Sequence, residues 1–265
     1  MTDRIGVTKM HGARNDFVVV DARRGPAPQW SAFATRVCDR RTGVGADGVI
    51  VLQASAVADV KMRVFNADGG EAEMCGNGIR CAARFLDEAG EGDSSAFETA
   101  GGIVRTSVVS RNPEYLVRVE MDAPRFADDV AAPGTAAHVV DVGNPHVVIF
   151  RDSADDADLA MLATGMQRNP RFPGGINVHV ASLEPSGALR VRHWERGVGA
   201  TMACGTGAVA CAVAAVRRGL TASPVEVIVP GGRLIVEWNG DAASLTGPAV
   251  RVFDTVLALE PELVG

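Results

Sequence analysis

The stretch EAEMCGNGIRCAARFL (71–86) has a counterpart further along the chain, ATMACGTGAVACAVAA (200–215). In each, a cysteine stands directly before Gly-x-Gly and a run of small and apolar residues at helical spacing. Cys204 follows Cys75 by 129 positions, and sliding the whole chain by that offset, without gaps, aligns three further segments. NDFVVVD (15–21) falls on NPHVVIF (144–150), GVIVL (48–52) on NVHVA (177–181), and VKMRVF (60–65) on LRVRHW (189–194). Asn66 falls on Glu195, each just ahead of a Gly-rich approach to the cysteine. Agreement on one offset marks an internal duplication. It predicts two similar halves, 1–118 and 119–249, with 250–265 returning to the first. A pseudo-two-fold axis would bring corresponding motifs face to face.

Periodicity fills in the halves. Short β-branched runs bounded by Gly, Pro, Asn or Asp predict strands over Phe17–Asp21, Val49–Leu52, Met62–Phe65 and Tyr115–Met121 in the first half. In the second they predict strands over Val147–Phe150, Val178–Ala181, Leu189–Trp194, Val225–Val229 and Leu234–Trp238. Helices are expected over Trp30–Asp39, Gly76–Ala89, Asp158–Thr164 and Gly205–Arg218. The last carries Ala208, Val209, Ala212, Val213 and Val216 at helical spacing and should be buried in its half. EGDSSA (91–96) reads as a surface loop. The expected class is α+β: two pseudo-symmetric domains, each a mixed or antiparallel sheet wrapped around a central helix.

Composition narrows the partners. A net charge of −6 without a basic run argues against nucleic acid or an anionic membrane surface. No apolar run approaches the ~20 residues of a membrane span, and MTDRIGVTKMHG lacks the apolar core of a signal peptide. A soluble, cytoplasmic protein is expected, and the sequence leaves a homodimer open. The five cysteines, Cys38, Cys75, Cys81, Cys204 and Cys211, are odd in number and have no C-x2-C pair. Neither a disulfide framework nor a metal site is expected.

A cysteine at the start of a helix meets first-turn N–H groups that lack intrahelical partners, and the positive end of the helix dipole. Such a thiol should have a depressed pKa. The same N–H groups can cradle a carboxylate, because glycine lets it approach the backbone. Two such sites facing each other would hold a substrate carboxylate between two helix N-termini, with a thiol on either side of its α-carbon. One thiolate then removes the α-proton and the opposite thiol returns a proton to the other face. Racemisation through pyridoxal phosphate needs a Schiff-base lysine, and the chain has only Lys9 and Lys61, one near the terminus and one starting an alternating strand. A cofactor-free reaction on a small amino acid fits better. Cys38, Cys81 and Cys211 read as small core residues.

The set NDF, GADG, FNADG, CGNGIRC, VGNPH, INV, WERG and CGTG, in that order from Asn15 to Gly207, resembles the diaminopimelate epimerase family. The resemblance implies two domains of matching fold and interconversion of LL- and meso-2,6-diaminopimelate, on the path to lysine and peptidoglycan. Carried over by motif, Cys75 and Cys204 are the acid/base pair. Gly76 with Asn77, and Gly205 with Thr206, supply the N–H cradle. Asn15, Asn66, Asn144, Asn177, Glu195 and Arg196 hold the ligand, and His146 lies beside the pair. His11, His138, His179 and His193 read as core histidines. Two positions depart from a pattern common in the family: Ala200 stands where many members have Glu, and Gly48 where many have Gln. A sister racemase acting on histidine or a diamino monocarboxylate, and a binding protein without turnover, are the competing readings; presence of both cysteines speaks against the second.

Overall fold

The computed structural model describes residues 4–25, 27–155 and 157–259. The chain divides into two compact units: one runs to Val119 and resumes at Pro248, the other is Glu120–Gly247. In the first unit come β1 (Arg4–Gly12), β2 (Asn15–Asp21), α1 (Trp30–Cys38), β3 (Gly48–Gln53) and β4 (Val60–Asn66). Then follow β5 (Glu71–Ala72), α2 (Gly76–Glu88), β6 (Ser94–Thr99), β7 (Gly102–Ser110) and β8 (Leu116–Met121). The second contains β9 (Arg125–Phe126), β10 (Val130–Ala132), β11 (Thr135–Asp141), β12 (Pro145–Phe150), α3 (Leu159–Gln167) and β13 (Asn177–Leu183). It continues through β14 (Leu189–Glu195), β15 (Gly199–Thr201), α4 (Gly205–Arg217), β16 (Val225–Val229), β17 (Gly232–Trp238) and β18 (Ala243–Pro248). The tail strand β19 (Val250–Ala258) pairs antiparallel with β1, Arg4 opposite Ala258; residues 260–265 of that tail lie outside the described residues.

The strand ladders repeat with the sequence offset. Phe17 opposes Gly48 across parallel β2–β3, as His146 opposes Asn177 across parallel β12–β13. Val49 opposes Phe65 as Val178 opposes Trp194, and Val64 opposes Ala72 as His193 opposes Thr201. Beyond the central helices the match slips by one residue: Val60 faces Phe97, but Leu189 faces Val227. The class is mixed α+β.

Alternation along these strands sorts side chains onto two faces. Val18, Val20, Val49 and Val51 pack beneath Trp30, Phe33 and Val37 of α1. Val147, Ile149, Val178 and Val180 pack beneath Leu159, Leu162 and Met166 of α3. Each fully buried Val contributes about 1.5–3 kcal/mol of transfer free energy. The opposite faces turn to α2 and α4. From Gly205 to Ala215 only Thr206 of α4 is not buried, as a helix wrapped by its own sheet requires. Both helices end on a left-handed glycine, Gly90 (φ 81°) and Gly219 (φ 69°). The next N–H folds back, Glu91 to Leu86 O and Leu220 to Ala215 O, each at 3.0 Å.

The structure differs from expectation in three ways. EGDSSA does not remain a loop: Ser94–Ala96 open β6, which lies between β4 and β7 and buries Ser95, Phe97 and Thr99. Small polar residues concealed its alternation. Strands β1, β7, β11 and β19 were also unanticipated, because Gly, Thr, Ser and charges interrupt their β-branched residues. Helix α3 starts one residue later than expected, with Asp158 accepting from Met161 N as its cap, and runs on to Gln167.

The two Gly-x-Gly turns differ in what lies under them. A Cβ on Gly78 would meet Ile50 Cδ1 at 3.1 Å, the end of a flexible side chain. On Gly207 it would sit 2.4 Å from His179 Cε1, on a ring hydrogen-bonded at both nitrogens. Gly207→Ala is therefore expected to lower unfolding stability by about 1–3 kcal/mol. Gly78→Ala, with the helix propensity gain of alanine offsetting a mild contact, should stay within about 1 kcal/mol of the parent. Urea denaturation of the two variants checks this; equal losses would contradict it.

Candidate active site

In the first unit Cys75 is the N-cap of α2, with extended backbone (φ −138°, ψ 113°), and its sulfur accepts from Gly78 N at 3.4 Å. The first intrahelical bond is Ile79 N to Cys75 O, 2.9 Å, which places the N–H groups of Gly76, Asn77 and Gly78 ahead of the helical ladder. The Cys75 thiol lies 3.6 Å from Asn15 Oδ1, which also accepts from Asn77 Nδ2 at 3.2 Å. The other end of the Asn15 amide donates to Asp47 Oδ2 at 2.8 Å, and Arg40 ties Asp47 to Asp16. A carboxylate is acceptor-only, so Asp47 fixes Asn15 with its oxygen toward the thiol. Beneath the turn lies Arg80, wholly buried. Its guanidinium donates to Gly76 O (2.9 Å), Asn77 Oδ1 (2.9 Å) and Pro248 O (3.2 Å). Burial pushes its pKa down to about 10, while attraction to the Cys81 and Cys75 thiolates would oppose that. Asn66 is exposed at the end of β4, opposite Gly48.

In the second unit Cys204 is the N-cap of α4 (φ −123°, ψ 112°), 5% exposed, with Thr206 Oγ1 3.6 Å from its sulfur. Burial pushes this thiol well above its ordinary pKa, and the Glu195 carboxylate beside it adds to the shift. Burial in turn raises Glu195, against a 2.7 Å hydrogen bond from Thr201. The expected depression of the thiol pKa is thus reversed at Cys204: dehydration and a neighbouring anion outweigh the N–H groups.

Asn177 accepts from Arg196 N (2.9 Å) and donates to Pro145 O (3.1 Å), so much of its amide is used in holding the ends of β12 and β14. Arg196 is exposed and donates to Gly174 O at 3.1 Å. Asn144 Oδ1 lies 2.8 Å from His146 Nε2. Hence the structure joins Asn15, Cys75 and Asn77 into one hydrogen-bonded group, Glu195 and Cys204 into a second, and Asn177 and Arg196 into a third. Ala200 is exposed on β15 opposite Trp194, and the Glu195 side chain accepts from Thr201 Oγ1 at 2.7 Å. A Cβ at Gly48 would fall 2.6 Å from Phe65 O, so this backbone requires glycine at that position.

Four residues near these groups were not singled out: Asp47, Arg80, His179 and His193. His146 Nδ1 lies 2.8 Å from His179 Nε2, and His179 Nδ1 lies 2.9 Å from His193 Nδ1. All three rings are at most 1% exposed. Among the described residues, no group of three or more His, Cys, Asp or Glu is placed to hold a metal ion, and no helix is long and apolar enough to cross a membrane.

A family model described as diaminopimelate epimerase matches residues 7–127 and 138–252. The chain belongs to the diaminopimelate epimerase family. Proteins named diaminopimelate epimerase from Erythrobacter litoralis and Sphingopyxis alaskensis are each 44% identical to it. The alignments span 94% and 96% of this chain and 96% and 97% of those proteins. It is therefore an enzyme of the isomerase class, acting on a small molecule. The fold is also that of a Bacillus anthracis phenazine biosynthesis protein of the PhzF family (TM-score 0.76, 19% identity, 97% and 99% of the two chains). A hydroxyproline epimerase from Agrobacterium vitis is similar too (TM-score 0.72, 16% identity, 100% and 96%).

Two outcomes follow for the titratable groups. Burial holds His146 and His193 at about 3 and His179 well below its ordinary 6.5. The unfolded chain takes up these protons below pH 6.5 and the folded chain does not. Their contribution to stability is fully present above pH 6.5 and lost as pH falls, at up to about 1.4 kcal/mol per pH unit for each ring. Denaturation at pH 7, 6 and 5 should show the drop; a flat profile would exclude three neutral histidines. At Cys204, Glu195→Gln removes the repelling anion and is expected to speed iodoacetamide alkylation of that thiol at pH 8, read by peptide mass spectrometry. An unchanged rate would remove Glu195 from the electrostatics of the cysteine.

Proposed function

We propose that the enzyme interconverts LL- and meso-2,6-diaminopimelate by moving a single α-proton without a cofactor. In this reading Cys75 and Cys204 flank the α-carbon. One sulfur, as thiolate, takes the α-proton; the C–H electron pair spreads into the carboxylate. The opposite thiol then gives its proton to the other face, and the stereocentre is inverted. First-turn N–H groups at Gly76–Asn77 and Gly205–Thr206 stabilise the charge developing on the carboxylate. Asn15, Asn66, Asn144, Asn177, Glu195 and Arg196 hold the remaining amino and carboxylate groups, Arg196 as the cation for the far carboxylate.

The carrying observation is that both units of a member of this family open a central helix with a cysteine N-cap followed by Gly-x-Gly. The surroundings of the two sulfurs suit unlike protonation states. Cys204 is buried against Glu195 and is the acid in the resting enzyme. Cys75 lies above the buried Arg80 guanidinium, whose attraction acts on a thiolate, and is the base; the reverse reaction exchanges the roles. Lys9 pairs with Asp16 at 2.6 Å and Lys61 with Glu98 at 2.8 Å, so both lysines are engaged in ion pairs. The reaction is placed in the cytoplasm, on the route to lysine and peptidoglycan.

Exchange of the α-proton into deuterated water, followed by NMR over a panel of amino acids, tests this. Fast exchange is expected with diaminopimelate alone. Cys75→Ser and Cys204→Ser should each cut turnover by about 10²–10⁴-fold. Exchange with histidine but not diaminopimelate would transfer the enzyme to a sister racemase, and turnover surviving both substitutions would refute the two-thiol reaction.

A further inference from the structure

The offset of 129 residues aligns two layers of side chains facing the central helices. The outer layer is Asn15, Gly48 and Asn66 in the first unit, and Asn144, Asn177 and Glu195 in the second. One step inward along each strand the layers part company. The first unit has Phe17, Ile50 and Val64; the second has His146, His179 and His193. An apolar layer therefore suffices to pack beneath such a helix turn, and the imidazoles need another explanation.

Their hydrogen bonds form one line, from Asn144 Oδ1 to His146 Nε2 (2.8 Å), His146 Nδ1 to His179 Nε2 (2.8 Å), and His179 Nδ1 to His193 Nδ1 (2.9 Å). The line ends at His193 Nε2, which is buried and lacks a hydrogen-bond partner. A neutral imidazole has one donor and one acceptor nitrogen, so the direction of one bond sets all the others. If Asn144 accepts, His146 and His179 are Nε2–H tautomers, His193 is the Nδ1–H tautomer, and the orphan is a bare lone pair. The opposite direction leaves an N–H buried without an acceptor, which proteins tolerate less readily than an unused acceptor. The line therefore runs toward Asn144.

We infer that His179 and His193 are positioning residues. They hold His146 as a donor to Asn144 Oδ1, which turns the Asn144 Nδ2 donor away from the core to a ligand carboxylate. Asp47 does the reverse for Asn15: it accepts from Nδ2 and leaves Oδ1 facing Cys75. The two halves thus present asparagines of opposite polarity, an acceptor at one and a donor at the other. That Asn144 meets the substrate rests on the epimerase reading above; the tautomer chain does not.

Nitrogen-15 NMR of histidine-labelled intact enzyme at pH 7 is expected to show Nε2–H for His146 and His179 and Nδ1–H for His193, all neutral. The reverse tautomers, or a charged ring among the three, would overturn the inference irrespective of activity. In kinetics, His193→Val and His179→Ile, which install the residues of the other half, should raise KM for diaminopimelate about tenfold, one hydrogen bond's worth. kcat should stay within about twofold, and the pH profile should be unchanged. In an Asn144→Ala background the same changes should have no further effect on KM. Equal losses in both backgrounds, or a fall in kcat with KM constant, would mean these rings merely support the fold. Parent enzyme inert toward diaminopimelate would fail the proposed reaction instead, leaving the tautomers to decide the chain.

Discussion

A helix N-terminus that is to serve as the carboxylate cradle of the proposed reaction must be free of side chains where the ligand approaches, and both units open a central helix with Gly-x-Gly. The first-turn N–H groups are useful only if nothing covers them, so glycines surround the turn and the cysteine is the one reactive side chain at its lip. A bare turn cannot anchor itself. Its position comes from the rest of the helix, largely buried as far as Leu86 in α2 and Ala215 in α4, and from the layer of side chains beneath. At Gly207 that layer reaches so close to the backbone that only hydrogen fits. Each helix start is therefore held from the sheet upward.

The same scaffold gives the two thiols different surroundings. Arg80 lies buried under the first turn, and the position 129 residues on is Val209. Asn66 ends β4, and its counterpart Glu195 stands beside Cys204. A cation under one sulfur and an anion beside the other break the electrostatic symmetry without disturbing the ladders, whose registers still match residue for residue up to the helices. General acid–base catalysis by two like groups requires them in unlike protonation states. In the proposed reaction, duplication supplies two matching helix starts, and divergence at a few positions related by the 129-residue offset makes their surroundings unequal.

Much of this was legible in the sequence because backbone register follows chain position. The offset predicted which residues would align, and α2 and α4 start and end 129 residues apart. The failures have a common source: they depend on what surrounds a residue. The helix dipole argued for a depressed thiol pKa, but at Cys204 burial and Glu195 dominate. Arg80 is charged, and a charged helical residue is ordinarily exposed, so its burial was unsuspected. His179 and His193, taken singly, read as ordinary core histidines, while His146 stood out only through the resemblance that sets it beside the cysteine pair. The signal was present nonetheless, since residues 146, 179 and 193 fall on Phe17, Ile50 and Val64, three residues on one face of neighbouring strands. Strand β6 escaped for a local reason: SSAFET puts small residues on both faces, and only its pairing with β4 and β7 shows which face is inward.

The contrast between these layers also bears on energetics. Replacing both partners of a buried hydrogen bond with apolar groups of similar shape can be nearly neutral, whereas one unsatisfied polar atom costs about 1–3 kcal/mol. The histidine line has three internal bonds and one bare nitrogen, so on fold stability alone the apolar version found in the other unit is at least its equal. What the apolar layer cannot do is hold the amide of an overlying asparagine in one orientation. In the first unit that task falls to Asp47, an acceptor beside the outer layer, and no polar inner layer is needed. The second unit has Ile176 at the position matching Asp47, so orientation of Asn144 must come from below. An uncharged donor from below also avoids the desolvation cost that the buried Arg80 bears under α2. Neutral imidazole, with one donor and one acceptor and able to be passed from strand to strand, meets both conditions.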